Sequence, residues 1–106
     1  MIIIKTTVNK TKIKNKIIRT LLNKKYLACI NVISEVNSYY EWKKKLVKSK
    51  EYILLIKTNS FNEKVVYKTI KSIHDYDIPE IITIRPSNVS KDYLNWLNNN
   101  IKKEKL

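Results

Sequence analysis

The sequence predicts an α+β fold, with strands and helices sharing one small core. Three observations lead there. Apolar residues recur at helical spacing in three segments: Ile13, Ile17, Ile18, Leu21 and Leu22; then Val66, Ile70 and Ile73; then Leu94, Leu97 and Ile101. Short apolar, β-branched runs lie between them, at residues 1–7, 27–33, 51–58 and 80–85. The chain has 106 residues, which suits a single domain spanning 1–106. A chain of that size buries one core with little area to spare.

Taken in order, residues 1–7 form a strand built on Ile2, Ile3 and Ile4. Asn9 is placed to cap the first helix, since its side chain can accept from amides of the first turn. That helix ends near Lys24 and Lys25, where cations suit the negative end of the helix dipole. Residues 27–33 form a second strand, and a polar turn is expected around 34–37. Tyr39, Tyr40 and Trp42 open a third extended segment, because aromatics at this density suit a pleated surface. Lys43–Lys45 and Lys48–Lys50 read as its exposed part and its turn, and lysines on an edge discourage unwanted pairing. Residues 51–58 make a fourth strand. Ser60 and Glu63 have capping-box spacing for the second helix. A seven-residue loop, His74-Asp75-Tyr76-Asp77-Ile78-Pro79-Glu80, then leads into the last strand, which Pro86 stops. Ser90 is placed to cap the last helix, which ends in a charged tail over 102–105.

The two middle strands join as one long hairpin. The order then becomes a split βαβ pair, the ferredoxin-like plan with an added C-terminal helix. The helices are expected on one sheet face. The other face is also apolar in several strands, and self-association is the simplest way to cover it.

The charge is +13, from 22 Lys plus Arg against 9 Asp plus Glu. A polyphosphate partner is one reading. The bases are nearly all Lys, with only Arg19 and Arg85, whereas base-edge recognition favours Arg. Lys, Ile, Asn and Tyr share A/T-rich codons, Gly does not, and Gly is absent. Codon drift therefore explains the bias, and nucleic acid is not the expected partner. No apolar run approaches the roughly 20 residues of a membrane span, and residues 1–4 are far too short for a signal peptide. The expected location is the cytoplasm. Cys29 is the only cysteine, read as a buried small hydrophobe.

The 74–80 loop holds the only histidine beside three carboxylates, a phenol and a proline. His74 is a candidate metal ligand, with Asp75, Asp77 or Glu80 as partners. Lys57 sits in an apolar strand and needs a carboxylate if buried. Glu51, Lys57, Tyr76 and Glu80 are therefore candidates for a polar pocket where loop meets hairpin. Tyr39, Tyr40 and Trp42 could stack on bases, but interface packing suits a hairpin better. The chain shows no nucleophile with a positioned base, no phosphate-cradling Gly loop and no HExxH, so an enzyme is not expected.

Several segments together resemble the CutA family of divalent-cation tolerance proteins. They are Leu27-Ala28-Cys29-Ile30-Asn31, Ser38-Tyr39-Tyr40-Glu41-Trp42 with Lys45, Glu51 with Lys57-Thr58, the 74–81 loop, and Tyr93-Leu94-Asn95-Trp96-Leu97. The resemblance implies a ferredoxin-like homotrimer whose hairpins extend one another's sheets, with an architecture similar to PII signalling proteins. It further implies a cytoplasmic role in tolerance of divalent metals, copper in particular, and no catalytic activity. His74 would then serve copper or another divalent cation. Tyr39, Tyr40 and Trp42 would build the trimer interface, and Glu51, Lys57, Tyr76 and Glu80 an intersubunit cleft. A PII-like sensor of a small anion is the alternative. Members proposed to bind copper carry a Cys near the end of the first strand and a His-His pair. This chain has Thr6 and Ile73-His74 at those positions. The family's hairpin Pro-Gly is Ser34-Glu35 here, and the Gly after the Trp motif is Lys44.

Overall fold

The structure is a computed structural model, and it describes residues 1–102. The strands are β1 (Ile2–Val8), β2 (Cys29–Trp42), β3 (Lys45–Thr58) and β4 (Ile81–Ile84). The helices are α1 (Thr11–Lys24), α2 (Glu63–Ile73) and α3 (Lys91–Asn99), with a 3-10 turn at Ser60–Asn62 before α2. The sheet is antiparallel with order β2-β3-β1-β4, the ferredoxin-like plan. Of the expected charged tail, positions 103–105 lie outside the described residues.

Alternation along the strands decides which side chains meet the helices. Ile2, Ile4, Leu54 and Ile56 point to one face and pack with Ile17 and Leu21 of α1 and Val66 and Ile70 of α2. All eight are essentially removed from water. At roughly 1.5–3 kcal/mol for each fully buried aliphatic side chain, this cluster is the main source of stability. The opposite face carries Ile33, Tyr40, Trp42, Ile82 and Ile84, each 40–46% exposed in the single chain.

Helix α3 does not join the α1–α2 layer. Its Tyr93 ring lies 5.7 Å from the Lys57 ammonium, and Lys57 alternates with Ile56 onto the other face. Asn98 meets Asn59, and Leu97 is fully buried. The expectation that all helices cover one face is corrected to two of the three.

The expected turn at 34–37 is not a turn. Strand β2 continues through it with a bulge between Ile33 and Val36, where Ser34 and Glu35 together face Tyr52. Glu35 takes φ 59°, in the left-handed region. A bulge bends and twists a strand without reversing it. The reversal comes at Lys43 and Lys44, with φ 50° and 64°. Two positive φ values match the twist that two-residue hairpins need, and here lysines adopt it in place of Gly or Asn.

Three expected helix caps also differ. The residue before α1 is Lys10, not Asn9, and no side-chain cap bond forms there or at Ser90 before α3. The capping box at Ser60 and Glu63 is absent. Ser60 enters the 3-10 turn, and Glu63 turns outward to accept from Thr83 (2.6 Å) and Arg85. Asn62, fully buried before α2, donates instead to the carbonyls of Tyr26 and Lys102. At the other end of α1, Lys25 takes φ 56°. Its N–H reaches Leu22, and the Tyr26 N–H reaches Leu21. These bonds satisfy the last carbonyls as a Schellman motif does.

Candidate functional site

The 74–80 loop closes over the base of the hairpin, and between them lies a cavity of about 550 Å³. The bulge places it there. Beyond Ile33 the facing of β2 shifts by one residue, so Val36 opposes Glu51, Tyr40 opposes Val47 and Trp42 opposes Lys45. Tyr40 and Trp42 therefore share the face of Glu51 and line the cavity with it. Tyr39 also reaches the rim, 66% exposed, with the Lys48 ammonium 5.7 Å from its ring.

Glu51 is only 6% exposed. Its Oε2 accepts a 2.7 Å hydrogen bond from the Tyr76 hydroxyl. Burial pushes the Tyr76 phenol well above its ordinary range, and donation to the nearby Glu51 carboxylate pushes it the same way. Tyr76 thus stays a proton donor. The pair ties loop to hairpin through one charge-assisted bond.

His74 is the loop's first residue and its anchor. The ring is fully buried. Its Nε2 lies 2.7 Å from the Thr7 carbonyl oxygen, which can only accept, so Nε2 carries the proton. Its Nδ1 accepts from the Tyr76 N–H at 3.1 Å. One imidazole therefore fixes the end of β1, the end of α2 and the backbone of Tyr76, whose ring meets it edge-on at 4.5 Å. Neither nitrogen is left to coordinate a metal. The position expected to hold Cys is Thr6, fully buried on the helix side of β1 between Leu54 and Ile81. Among the described residues, no three of His, Cys, Asp and Glu are grouped to hold a metal ion. The residues do not fit a copper centre at His74, and that expectation is corrected on the engagement of both ring nitrogens.

Glu80 pairs with Lys5 at 3.1 Å, and Asp75 pairs with Lys10 at 2.9 Å. The hydrogen bond from Lys10 holds the Asp75 carboxyl below the ordinary range. The structure thus brings together Glu51, Tyr76 and Glu80 but not Lys57. Six residues along β3 from Glu51, Lys57 sits roughly 20 Å away, opposite Ile3 and Cys29. The expected ion pair of Lys57 with Glu51 or Glu80 is replaced by the ring of Tyr93. Sequence reasoning also missed the Thr7 carbonyl. A backbone oxygen leaves no sequence signal, although the burial of β1 beside a histidine loop was consistent with it.

Glu51, Asp75, Asp77 and Glu80 give the cavity a carboxylate lining, with Tyr40, Trp42 and Tyr76 as apolar walls. Lys5 and Lys10 offset Glu80 and Asp75, and the charge left by Glu51 and Asp77 favours cations over small anions. Among the described residues, no helix is long and apolar enough to cross a membrane.

Comparison with known proteins agrees with this architecture. Residues 2–100 match the family model described as CutA1 divalent ion tolerance protein. The chain is 37% identical over 83 residues to the divalent-cation tolerance protein CutA of Thermotoga maritima, covering 78% of this chain and 81% of that one. It is also 37% identical over 81 residues to a CutA homologue of Xenopus laevis, covering 76% of this chain but only 54% of that longer protein. The crystal structure of CutA1 from Pyrococcus horikoshii superposes with a TM-score of 0.90 at 35% identity, over 97% of this chain and 100% of that one. A match over nearly the whole sequence, with the same fold, shows that the chain belongs to the CutA1 divalent ion tolerance family.

Proposed function

We propose that this protein serves divalent-cation tolerance in the cytoplasm as a homotrimer of one-domain chains, each spanning residues 1–106. On this reading the cavity at Glu51, Tyr76 and Glu80 becomes an intersubunit cleft, without a copper centre at His74. The observation that carries it is the half-exposed second face of the sheet. Ile33, Tyr40, Trp42, Ile82 and Ile84 present apolar surface there, and strands β2 and β4 both leave an outer edge unpaired. An apolar face bounded by open edges favours pairing with further copies of the chain. Tyr40 and Trp42 pack in that interface, with Tyr39 at its rim. We assign no catalytic activity.

The carboxylate lining supports a cleft that draws cations rather than the small anion of a PII-like sensor. The role of His74 is to hold the loop that shapes the cleft. Light scattering coupled to size exclusion is expected to give three times the 12.6 kDa chain mass; a clean monomer would refute the assembly. Calorimetric titration with Cu²⁺ is expected to give the same affinity for the wild type and for His74→Gln, whose amide can still donate to Thr7. A tenfold or larger loss of Cu²⁺ affinity in a folded His74→Gln protein would refute the reading of His74.

A further inference from the structure

Codon drift explains how many lysines the chain has, but not where they stand. Helix α1 carries five cations and no acid over Thr11–Lys24. Its Ile17 and Leu21 face the core, and at 100° per residue Lys12 and Arg19 point away from them with Lys16 on the flank. On α2, Val66 and Ile70 face the core, and Lys64, Lys68 and Lys71 form the opposite stripe. All six are exposed, and none forms an ion pair among the described residues. The two helices pack side by side on one sheet face, so the stripes run as neighbouring rows roughly 8–10 Å apart. Beside the α2 row lies a shallow depression of about 550 Å³, lined by Lys64, Lys68 and Lys71 with Tyr67. Glu63 at its edge is tied to Thr83 and Arg85. Four of the nine acids line the cavity at the loop and hairpin. The hairpin carries a second group of exposed lysines, Lys43–Lys45, Lys48 and Lys50, but those stand on the element that also lines the acid-bearing cavity, whereas the helix rows face no carboxylate cluster.

We infer that the α1–α2 face is a docking surface for nucleic acid, read through its phosphates and not its bases. Two rows of unpaired point charges suit a phosphate backbone. Five of the six are Lys, which lacks the forked guanidinium that reads base edges. The scarcity of Arg, which argued against nucleic acid at first, excludes sequence reading but leaves backbone binding intact. A membrane is the weaker occupant. Surface-binding helices carry several large apolar residues among their cations, whereas here the neighbours are Asn15, Asn23 and Ser72, with Leu22 the single large apolar residue exposed on the two helices among the described residues. The inference stands apart from the tolerance role and needs no trimer.

The test is fluorescence anisotropy with a labelled 20-base-pair duplex of mixed sequence, over a salt series. The wild type is expected to bind with log K falling against log salt by roughly 3–5, from about 0.9 per phosphate neutralised. Replacing Lys12, Lys16, Lys64 and Lys68 with Gln should weaken binding at least thirtyfold at low salt and flatten that slope by about three. A control removes the same charge from the hairpin: Lys43→Asn, Lys44→Asn, Lys45→Gln and Lys48→Gln, with less than threefold loss expected. Circular dichroism confirms that each variant is folded. Equal losses in both variants would show bulk charge alone and overturn the site. So would undetectable duplex binding, or tighter binding to phosphatidylserine vesicles with the same sensitivity to the helix substitutions.

Discussion

Replacing Tyr76 with Phe removes one oxygen and leaves the Glu51 carboxylate behind. The effect can be worked from the structure. Glu51 is 6% exposed, so water cannot fully take over the missing donor. The lost bond is 2.7 Å long and its acceptor is charged. Hydrogen bonds to charged groups contribute about 1.5–3 kcal/mol, and Glu51 keeps its second oxygen. We expect Tyr76→Phe to cost about 2 kcal/mol, read as a lowered urea midpoint at pH 7 and fixed protein concentration. The pH dependence has a definite sign. The folded-state phenol is held above its ordinary range, so its contribution is complete below about pH 10. It is lost as pH rises beyond that, because the unfolded chain releases the proton first. The difference between wild type and Tyr76→Phe should therefore narrow above pH 10. A double-mutant cycle with Glu51→Gln isolates the pair, with an expected coupling of about 1.5–3 kcal/mol. A coupling below about 0.5 kcal/mol, within the additivity error of independent sites, would refute the argument; so would a constant difference between pH 8 and 11.

Other expectations follow from single positions. The Thr6 hydroxyl is buried without a hydrogen-bond partner among the described residues, so Thr6→Val should stabilise the protein by about 1 kcal/mol in the same urea assay; destabilisation would reveal a partner for that oxygen. Lys25 ends α1 at φ 56°, a conformation that costs an L-residue roughly 1–2 kcal/mol and Gly nothing. Part of that gain is offset by the greater freedom of Gly in the unfolded chain. Lys25→Gly should then raise the melting temperature by a few degrees, whereas the neighbouring exposed Lys24→Gly, inside the helix, should lower it.

The parts legible in sequence were those fixed by periodicity. The stripes of α1 and α2 were readable because 3.6-residue spacing leaves a mark at every turn, and Ile17, Leu21, Val66 and Ile70 are all buried as it requires. The bulge at Ser34 and Glu35 was misread as a turn because both features use the same small or polar residues. The true turn was narrowed only to the lysine-rich stretch 43–50, because Lys43 and Lys44 carry no turn signature and the chain has no Gly. At the cavity, Glu51, Tyr76 and Glu80 were foreseen together because the loop announced its chemistry. Lys57 was wrongly placed beside them: sequence shows that a lysine in an apolar strand needs company, but not how far along the strand that company sits. The Tyr93 ring that supplies it comes from the last helix, far off in sequence.

The place of β1 in the sheet has a consequence for how the chain folds as it is made. β1 precedes the other strands in the chain, yet it lies between β3 and β4 and pairs with both. Its Ile3 must wait for Lys57 on one side and Ile84 on the other. The β2–β3 hairpin closes locally across two residues, and closing a short loop is fast. β1 then docks on a sheet edge already formed, and the last partner arrives only when nearly the whole chain is available. Until β3 is complete, Ile2, Ile3 and Ile4 form an unpaired apolar strand, a segment in need of protection from aggregation during synthesis.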